Sequence, residues 1–278
     1  MRMSLPLTLA GLVAVAAFAP ALAADKEQGI PDLAFADYAW LKAGDDFLPP
    51  ISGPGPVLSD PAHPYVANND KGLQPTFRVA DLSNPILKPW AIGQMKKANE
   101  DVLAGKIPFI ARASCVPGGV PGFLIYARLE PMYFVQTKKE VLIINQGNAE
   151  TRRVYMNVPH SKNLKPTWYG ESVGHYENGD TLVVDTIGMN DKSFIDNYRT
   201  PHTTQLHVVE RYRLTNGGQK LEVSIEVEDP GAFNMPWSAR QEYRRAKQGN
   251  LLEAVCAENN GYFGVEAFSF PRAEKPDF

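Results

Sequence analysis

Three of the five histidines of this 278-residue chain, His175, His202 and His207, fall within residues 166–213, interleaved with Asp185, Asp196 and Glu210 and with Tyr169 and Tyr176. Imidazoles that titrate near neutrality beside carboxylates are suited to proton transfer. Such a group fits a substrate carrying its own electron sink: decarboxylation, dehydration or double-bond migration of an activated phenol or enone, without a cofactor. On this reading His175 and His202 exchange protons, and Glu210 is the interior acid or base. Tyr169 or Tyr176 orients or deprotonates a phenol, and Asp185 completes the catalytic set. Trp168, Asn190, His207 and Arg211 are the substrate-binding candidates, Arg211 because its planar fork can grip a carboxylate.

Two other chemistries compete. A metal could be held by His175, His202, His207 and a carboxylate, but their spacing repeats no known ligand pattern, and neither a metal nor a cofactor is expected. A serine nucleophile, Ser172 or Ser193, is the other. Gly170-Glu171-Ser172-Val173-Gly174 spells G-x-S-x-G, yet that motif needs a strand-to-helix elbow and Ser172 falls within a run of strands. Ordinary structural roles stand beside these: His160 as an exposed loop residue, His175 as a bonded core residue, and Asp196-Asn197 as turn chemistry. Arg152, Arg153, Arg211 or Arg213 could neutralise neighbouring carboxylates.

The elements that must position these groups are strands. Along residues 205–214 one face reads Leu206, Val208, Glu210, Tyr212, Leu214 and the other Gln205, His207, Val209, Arg211, Arg213, because side chains alternate. Glu210 therefore lies in an apolar face, where an ionised carboxylate must be paired, protonated or held for chemistry. Residues 171–177 and 180–187 form a hairpin through Asn178-Gly179, expected as a two-residue type I′ turn that sets His175 opposite Leu182. Residues 188–201 are long for a connection and read as a lid or mouth loop beside His202. Further strands are expected at 123–129, 132–137, 140–145, 152–158, 220–228, 237–245 and 251–256. The whole predicts a mainly β fold, an antiparallel barrel able to enclose one small ligand.

The N-terminal third differs. Arg2, an apolar run and Ala21-Leu22-Ala23 resemble a signal peptide cleaved near Ala23, so residues 1–23 are expected to be removed and the protein to be periplasmic or secreted, with no membrane span in the mature chain. Residues 24–114 are a proline-rich arm and one helix packed on the barrel, with Phe35, Tyr38, Trp40 and Leu41 as anchors. The helix spans 89–105, with Ile92, Met95, Val102 and Leu103 buried. Residues 115–278 are the barrel domain. Cys115 and Cys256, in an exported protein, suggest a disulfide worth about 5 kcal/mol on chain-entropy reasoning. With 28 basic and 31 acidic side chains, no net field recruits nucleic acid, and a small aromatic molecule is the expected partner; oligomeric state is not readable.

The run Cys115-Val-Pro-Gly-Gly-Val-Pro121, residues 177–190 (ENGDTLVVDTIGMN), His202 with Leu206-His207-Val208-Val209-Glu210-Arg211, then Glu228-Asp229-Pro230, Pro236-Trp237 and Cys256-Ala-Glu-Asn-Asn260 resembles a large family of exported bacterial proteins of no stated activity. The architecture is similar to the lipocalin or calycin barrels, which host both carriers and cofactor-free enzymes. The expectation is a cofactor-free lyase acting on a small aromatic or phenolic molecule in a barrel cavity. The alternatives are a lipocalin-like carrier of an apolar or aromatic ligand, and an envelope protein that binds another protein.

Overall fold

A computed structural model describes residues 30–34, 38–64, 78–106, 115–125, 131–148, 150–247 and 251–253. The expected signal peptide, residue Cys256 and with it the Cys115–Cys256 pairing lie outside these residues.

Strict alternation of apolar and polar residues dictates where the chain extends. In Lys220–Glu228, Leu221, Val223, Ile225 and Val227 are fully buried while Glu226 and Glu228 face water, a one-sided strand. The described residues form nine strands: β1 Tyr38–Lys42, β2 Met132–Gln136, β3 Glu140–Asn145, β4 Glu150–Met156, β5 Glu171–Glu177, β6 Thr181–Ile187, β7 His207–Thr215, β8 Lys220–Glu228 and β9 Trp237–Lys247. Each pairs with the next, and β1 pairs with β9, so the sheet closes. The mainly β, lipocalin-like barrel with one helix is therefore present, with one correction: β4 and β5 run parallel, matching Val154 with Ser172. The other neighbours are antiparallel.

Other expectations are corrected locally. Tyr38–Lys42, expected in an arm lying on the barrel, is itself the strand that joins β2 to β9. Residues 123 and 124, expected to begin a strand, belong to the short 3-10 turn Gly122–Leu124, and residues 251–253 are not strand. The β5–β6 hairpin turns through Asn178, Gly179 and Asp180, with Glu177 opposite Thr181 and His175 opposite Val183. Positive φ at Asn178 (51°) and Gly179 (72°) permits this reversal, one residue longer than the expected two-residue turn. Since a one-residue change of register moves partners to opposite faces, Ser172, Gly174 and Tyr176 share the inner face with Leu182, Val184 and Thr186. His175 and Asp185 are on the outside.

The helix α1, Pro89–Leu103, begins on a proline in its first turn. Its buried positions are Ala91, Met95, Asn99 and Val102, a spacing of about one turn. Met95 and Val102 were expected there; Ile92 is only partly buried and Leu103 is exposed. Asn99 is accommodated because its side chain clasps both polar groups of the Ala80 backbone, at 2.8 and 2.9 Å. Among the described residues no helix is long and apolar enough to cross a membrane.

Inside the barrel the described residues build a buried polar cluster. Arg152 on β4 and Glu210 on β7, 1% and 0% exposed, form a two-pronged pair at 2.9 and 2.7 Å. The Tyr212 hydroxyl donates to the same carboxylate at 3.1 Å, and Ser172 and Thr186, 2.9 Å apart, lie beside the guanidinium. Phe123 reaches in from the 3-10 turn with its ring 5.5 Å from the Arg152 guanidinium carbon. The Tyr243 hydroxyl holds that turn by donating to the Leu124 carbonyl at 2.7 Å. Desolvation by burial raises the Tyr212 and Tyr243 phenols well above their usual range, so both act as neutral donors.

Candidate functional site

The chain between β6 and β7 packs instead of projecting. Phe194 and Pro201 bridge as a miniature antiparallel pair, closed by Ile195 N–H donating to the Thr200 carbonyl at 2.9 Å. At the tip, Asp196 accepts from the Tyr198 and Thr200 amides at 2.9 and 3.2 Å and from the Thr200 hydroxyl at 2.7 Å, the turn chemistry expected of it. Arg199 donates to the Arg78 carbonyl at 2.7 Å and Tyr198 to Asp46 at 3.3 Å. Ile195, Asp196, Tyr198, Arg199 and Thr200 are all buried, so the expected lid is a fixed wall. Desolvation of its carboxyl pushes Asp196 up to about 6.

That small ladder has a chemical consequence. Bridging 194 with 201 brings their outer neighbours, Ser193 and His202, face to face, with Ser193 Oγ 3.0 Å from His202 Nε2. The other ring nitrogen, Nδ1, lies 3.1 Å from the Thr203 carbonyl. A carbonyl only accepts, so the partners assign the proton to Nδ1 and leave Nε2 bare to accept from the serine hydroxyl. Burial holds the His202 pKa below its ordinary value, opposed by the Thr203 hydrogen bond and the charges of Asp229 and Asp191. The ring is thus held neutral, and a neutral imidazole beside a serine hydroxyl at this distance is the arrangement of a general base and its nucleophile. Gly119 makes the fit possible: its φ is +67°, and a Cβ there would lie 2.2 Å from Ser193 Oγ.

Ser193 and His202 line a cleft of about 350 Å³ between α1 and this wall. Trp90, 46% exposed, supplies an aromatic side. Four cationic side chains, Lys97, Lys106, Lys192 and Arg199, face two anionic ones, Asp101 and Asp191, on a chain whose overall formal charge is −3. Lys97 and Lys106 share Asp101, at 3.3 and 2.6 Å.

The residues expected to act together are distributed over three places. His202 is in the cleft. Trp168 and Asn190 stand near its wall: the Asn190 amide donates to the Thr167 carbonyl at 2.7 Å, and the Trp168 carbonyl is 3.5 Å from the Gly119 Cβ position. Glu210, Tyr169 and Tyr176 belong to the barrel interior. Glu210 is engaged by Arg152. Tyr169 packs edge-on against Phe123 at 6.0 Å, and burial, then Glu150, raises its phenol above the usual range. Tyr176 accepts from the Gln136 amide at 2.8 Å, and burial raises its phenol.

His175, Asp185, His207 and Arg211 lie on the outer surface. His175 contacts Glu177 at 3.1 Å, and Arg211 donates to Glu226 at 2.8 Å. Asp185 Oδ1 is 2.9 Å from His207 Nε2 and 3.1 Å from His160 Nε2. His160, expected to be exposed in a loop, is half-buried between Asp185 and Glu171. Among the described residues no group of three or more His, Cys, Asp and Glu side chains is arranged to hold a metal ion. In the sequence Ser193 carries no motif that ties it to His202, and Gly119, Thr203 and Asp229, which support the pair, carry none either. The only signals were the Gly118-Gly119 and Glu228-Asp229-Pro230 patterns.

No family model matches the chain, and no curated protein matches it. The resemblance to exported bacterial proteins accordingly rests on the residues quoted for it.

Proposed function

We propose that this protein is an exported, cofactor-independent hydrolase or acyl-transfer enzyme in which Ser193 is the nucleophile and His202 its general base. The observation that carries this reading is the pairing of Ser193 Oγ with His202 Nε2 at 3.0 Å, with Nδ1 donating to a carbonyl on the far side of the ring. Attack by Oγ on an activated carbonyl passes the hydroxyl proton to Nε2, and the imidazolium returns it to the leaving group; water then repeats the sequence on the acyl-serine. Trp90 and the surplus of lysine and arginine favour a small aromatic ester bearing a negative charge.

A lyase at the same cleft is the second reading, favoured by the bare Nε2 of a neutral His202, which could take a proton from a substrate directly. Glu210 has no part in it, because Arg152 occupies both carboxylate oxygens. A carrier needs neither group.

The test is labelling of the purified mature protein with an aryl fluorophosphonate, followed by peptide mass spectrometry and turnover of a series of p-nitrophenyl esters. Covalent label on Ser193, lost in Ser193→Ala together with ester turnover, is expected. Ester turnover that survives Ser193→Ala but not His202→Gln makes His202 the base for direct attack by water, and His202-dependent loss of carbon dioxide or water from a phenolic acid, without label on Ser193, favours the lyase. Absence of both label and turnover, with aromatic ligands still bound and returned unchanged, refutes the enzyme reading in favour of the carrier.

A further inference from the structure

Resting on the Ser193–His202 reading, we infer that Asp229 is the positioning acid of this site, acting on His202 through residue 203 instead of touching the ring. In a three-membered arrangement the acid fixes the tautomer and orientation of the histidine and stabilises the imidazolium formed during reaction. Here the group that touches Nδ1 is a peptide carbonyl, that of Thr203, at 3.1 Å. A carbonyl on a loop orients a ring only if its own residue is fixed.

Thr203 is fixed from two sides by one carboxylate. Asp229 Oδ2 accepts the Thr203 backbone amide at 2.5 Å, and Oδ1 accepts the Thr203 hydroxyl at 2.7 Å. The carboxylate is in turn immobilised: Asp229 is 1% exposed, and its Oδ1 also accepts from the Gly231 amide at 2.9 Å. Its backbone carbonyl accepts from the Ala232 and Phe233 amides at 3.1 and 2.8 Å. Space for this contact depends on Gly231, where a Cβ would lie 2.5 Å from Thr203 Cγ2. Asp229 follows directly on β8, so the anchor is at the rim of the barrel and the wall carrying Ser193 is tied to it.

The charge of Asp229 supplies the second half of the role. With that of Asp191 it favours the protonated ring, against the desolvation that disfavours it. Lys97, Lys106, Lys192 and Arg199 share the cleft and act in the opposite sense on a cation. An acid that both holds the carbonyl and offsets the cost of imidazolium formation does the work of a directly bonded one, from one residue farther away.

The experiment uses the full mature chain labelled with 15N-histidine, its His202 titration followed by NMR, alongside kcat and KM for the p-nitrophenyl esters. In Asp229→Asn the negative charge is gone and the side chain keeps its shape. His202 should then titrate at lower pH than in the native protein, the acid limb of kcat/KM should move with it, and kcat should fall about 100-fold with KM little changed, less than the ~10⁴-fold for a directly bonded acid. Thr203→Val retains the charge and removes the 2.7 Å bond to Asp229 together with the 3.1 Å bond that the hydroxyl accepts from the Gln205 amide; about a tenfold fall in kcat with an unmoved limb is expected. An unshifted His202 titration in Asp229→Asn overturns the inference, whatever the esterase assay gives. An unchanged kcat in Thr203→Val overturns it too, including where Asp229→Asn does not fold. A native protein without esterase activity whose His202 still shifts in Asp229→Asn rejects the hydrolase and keeps the coupling.

Discussion

Removing Arg152 should destabilise the protein far more than removing the whole Arg152–Glu210 pair. Arg152→Met leaves a carboxylate that is 0% exposed with only the Tyr212 hydroxyl, at 3.1 Å, to answer it. Breaking one partner of a buried pair costs about 3–5 kcal/mol. Glu210→Leu leaves the guanidinium in the same position and should cost a similar amount. In the double variant Arg152→Met/Glu210→Leu, Ser172 and Thr186 keep their mutual bond of 2.9 Å, so the Tyr212 hydroxyl is the group that loses its acceptor, at about 1–3 kcal/mol. Exchange of a buried ion pair for apolar side chains returns about 1–4 kcal/mol. The double variant should thus lie within about 2 kcal/mol of the native protein, far from the sum of the singles. Urea unfolding followed by tryptophan fluorescence measures all four species, and an unchanged m-value certifies that compactness is the same. Ester turnover should survive in the double variant. A single variant that loses less than about 1 kcal/mol, or a double variant as unstable as the two losses combined, would refute the assignment of this pair to packing. Loss of turnover in a stable double variant would return Glu210 to the chemistry.

Three further outcomes follow from the same geometry. Asp196 titrates near 6 when folded, against 3.8 in its reference state, so the stability it confers is full below pH 4 and lost as pH rises to 6, about 3 kcal/mol in all; Asp196→Asn should flatten that slope in pH-dependent thermal melts. Gly119→Ala places a methyl 2.2 Å from Ser193 Oγ at a φ of +67°; a loss of about 1–2 kcal/mol from backbone strain is expected, together with at least a tenfold drop in fluorophosphonate labelling. Because burial lowers the His202 pKa, the acid limb of kcat/KM should fall below pH 6.5; a limb above that value would contradict the neutral ring.

How much of this was written locally in the chain differs from element to element. β8 and the apolar face of β7 could be read because each residue's environment is announced by its alternate neighbours, and Glu210 stood out as the exception. β1 could not: its five residues YAWLK carry no clean alternation, and their partners are Met132 and residues 243–247. The hairpin was visible but its register was not, since one added loop residue at Asp180 decides whether His175 and Asp185 face in or out. Histidine content singled out His202, yet nothing in the sequence pairs it with Ser193. That pairing is made by Phe194 and Pro201 bridging and by Asp196 organising the tip, which are interactions without a motif. Residues chosen for their chemical type alone, such as His175, Arg211 and His207, proved to satisfy surface carboxylates.

The parallel contact between β4 and β5 follows from arithmetic. Travelling once around a closed ring of strands, every antiparallel contact reverses the direction of travel and every parallel contact preserves it, and the traveller must return to β1 pointing as before. The number of reversals is therefore even, and a ring of nine cannot be antiparallel throughout. One contact has to preserve direction, and the chain meets that demand between Met156 and Glu171, where residues 157–170 travel back along the outside of the wall instead of turning at its rim. His160 reaches Asp185 because of that return journey. The long connection is thus an obligation of an odd strand number, and a version of this protein with an ordinary hairpin at that place would have to gain or lose a strand.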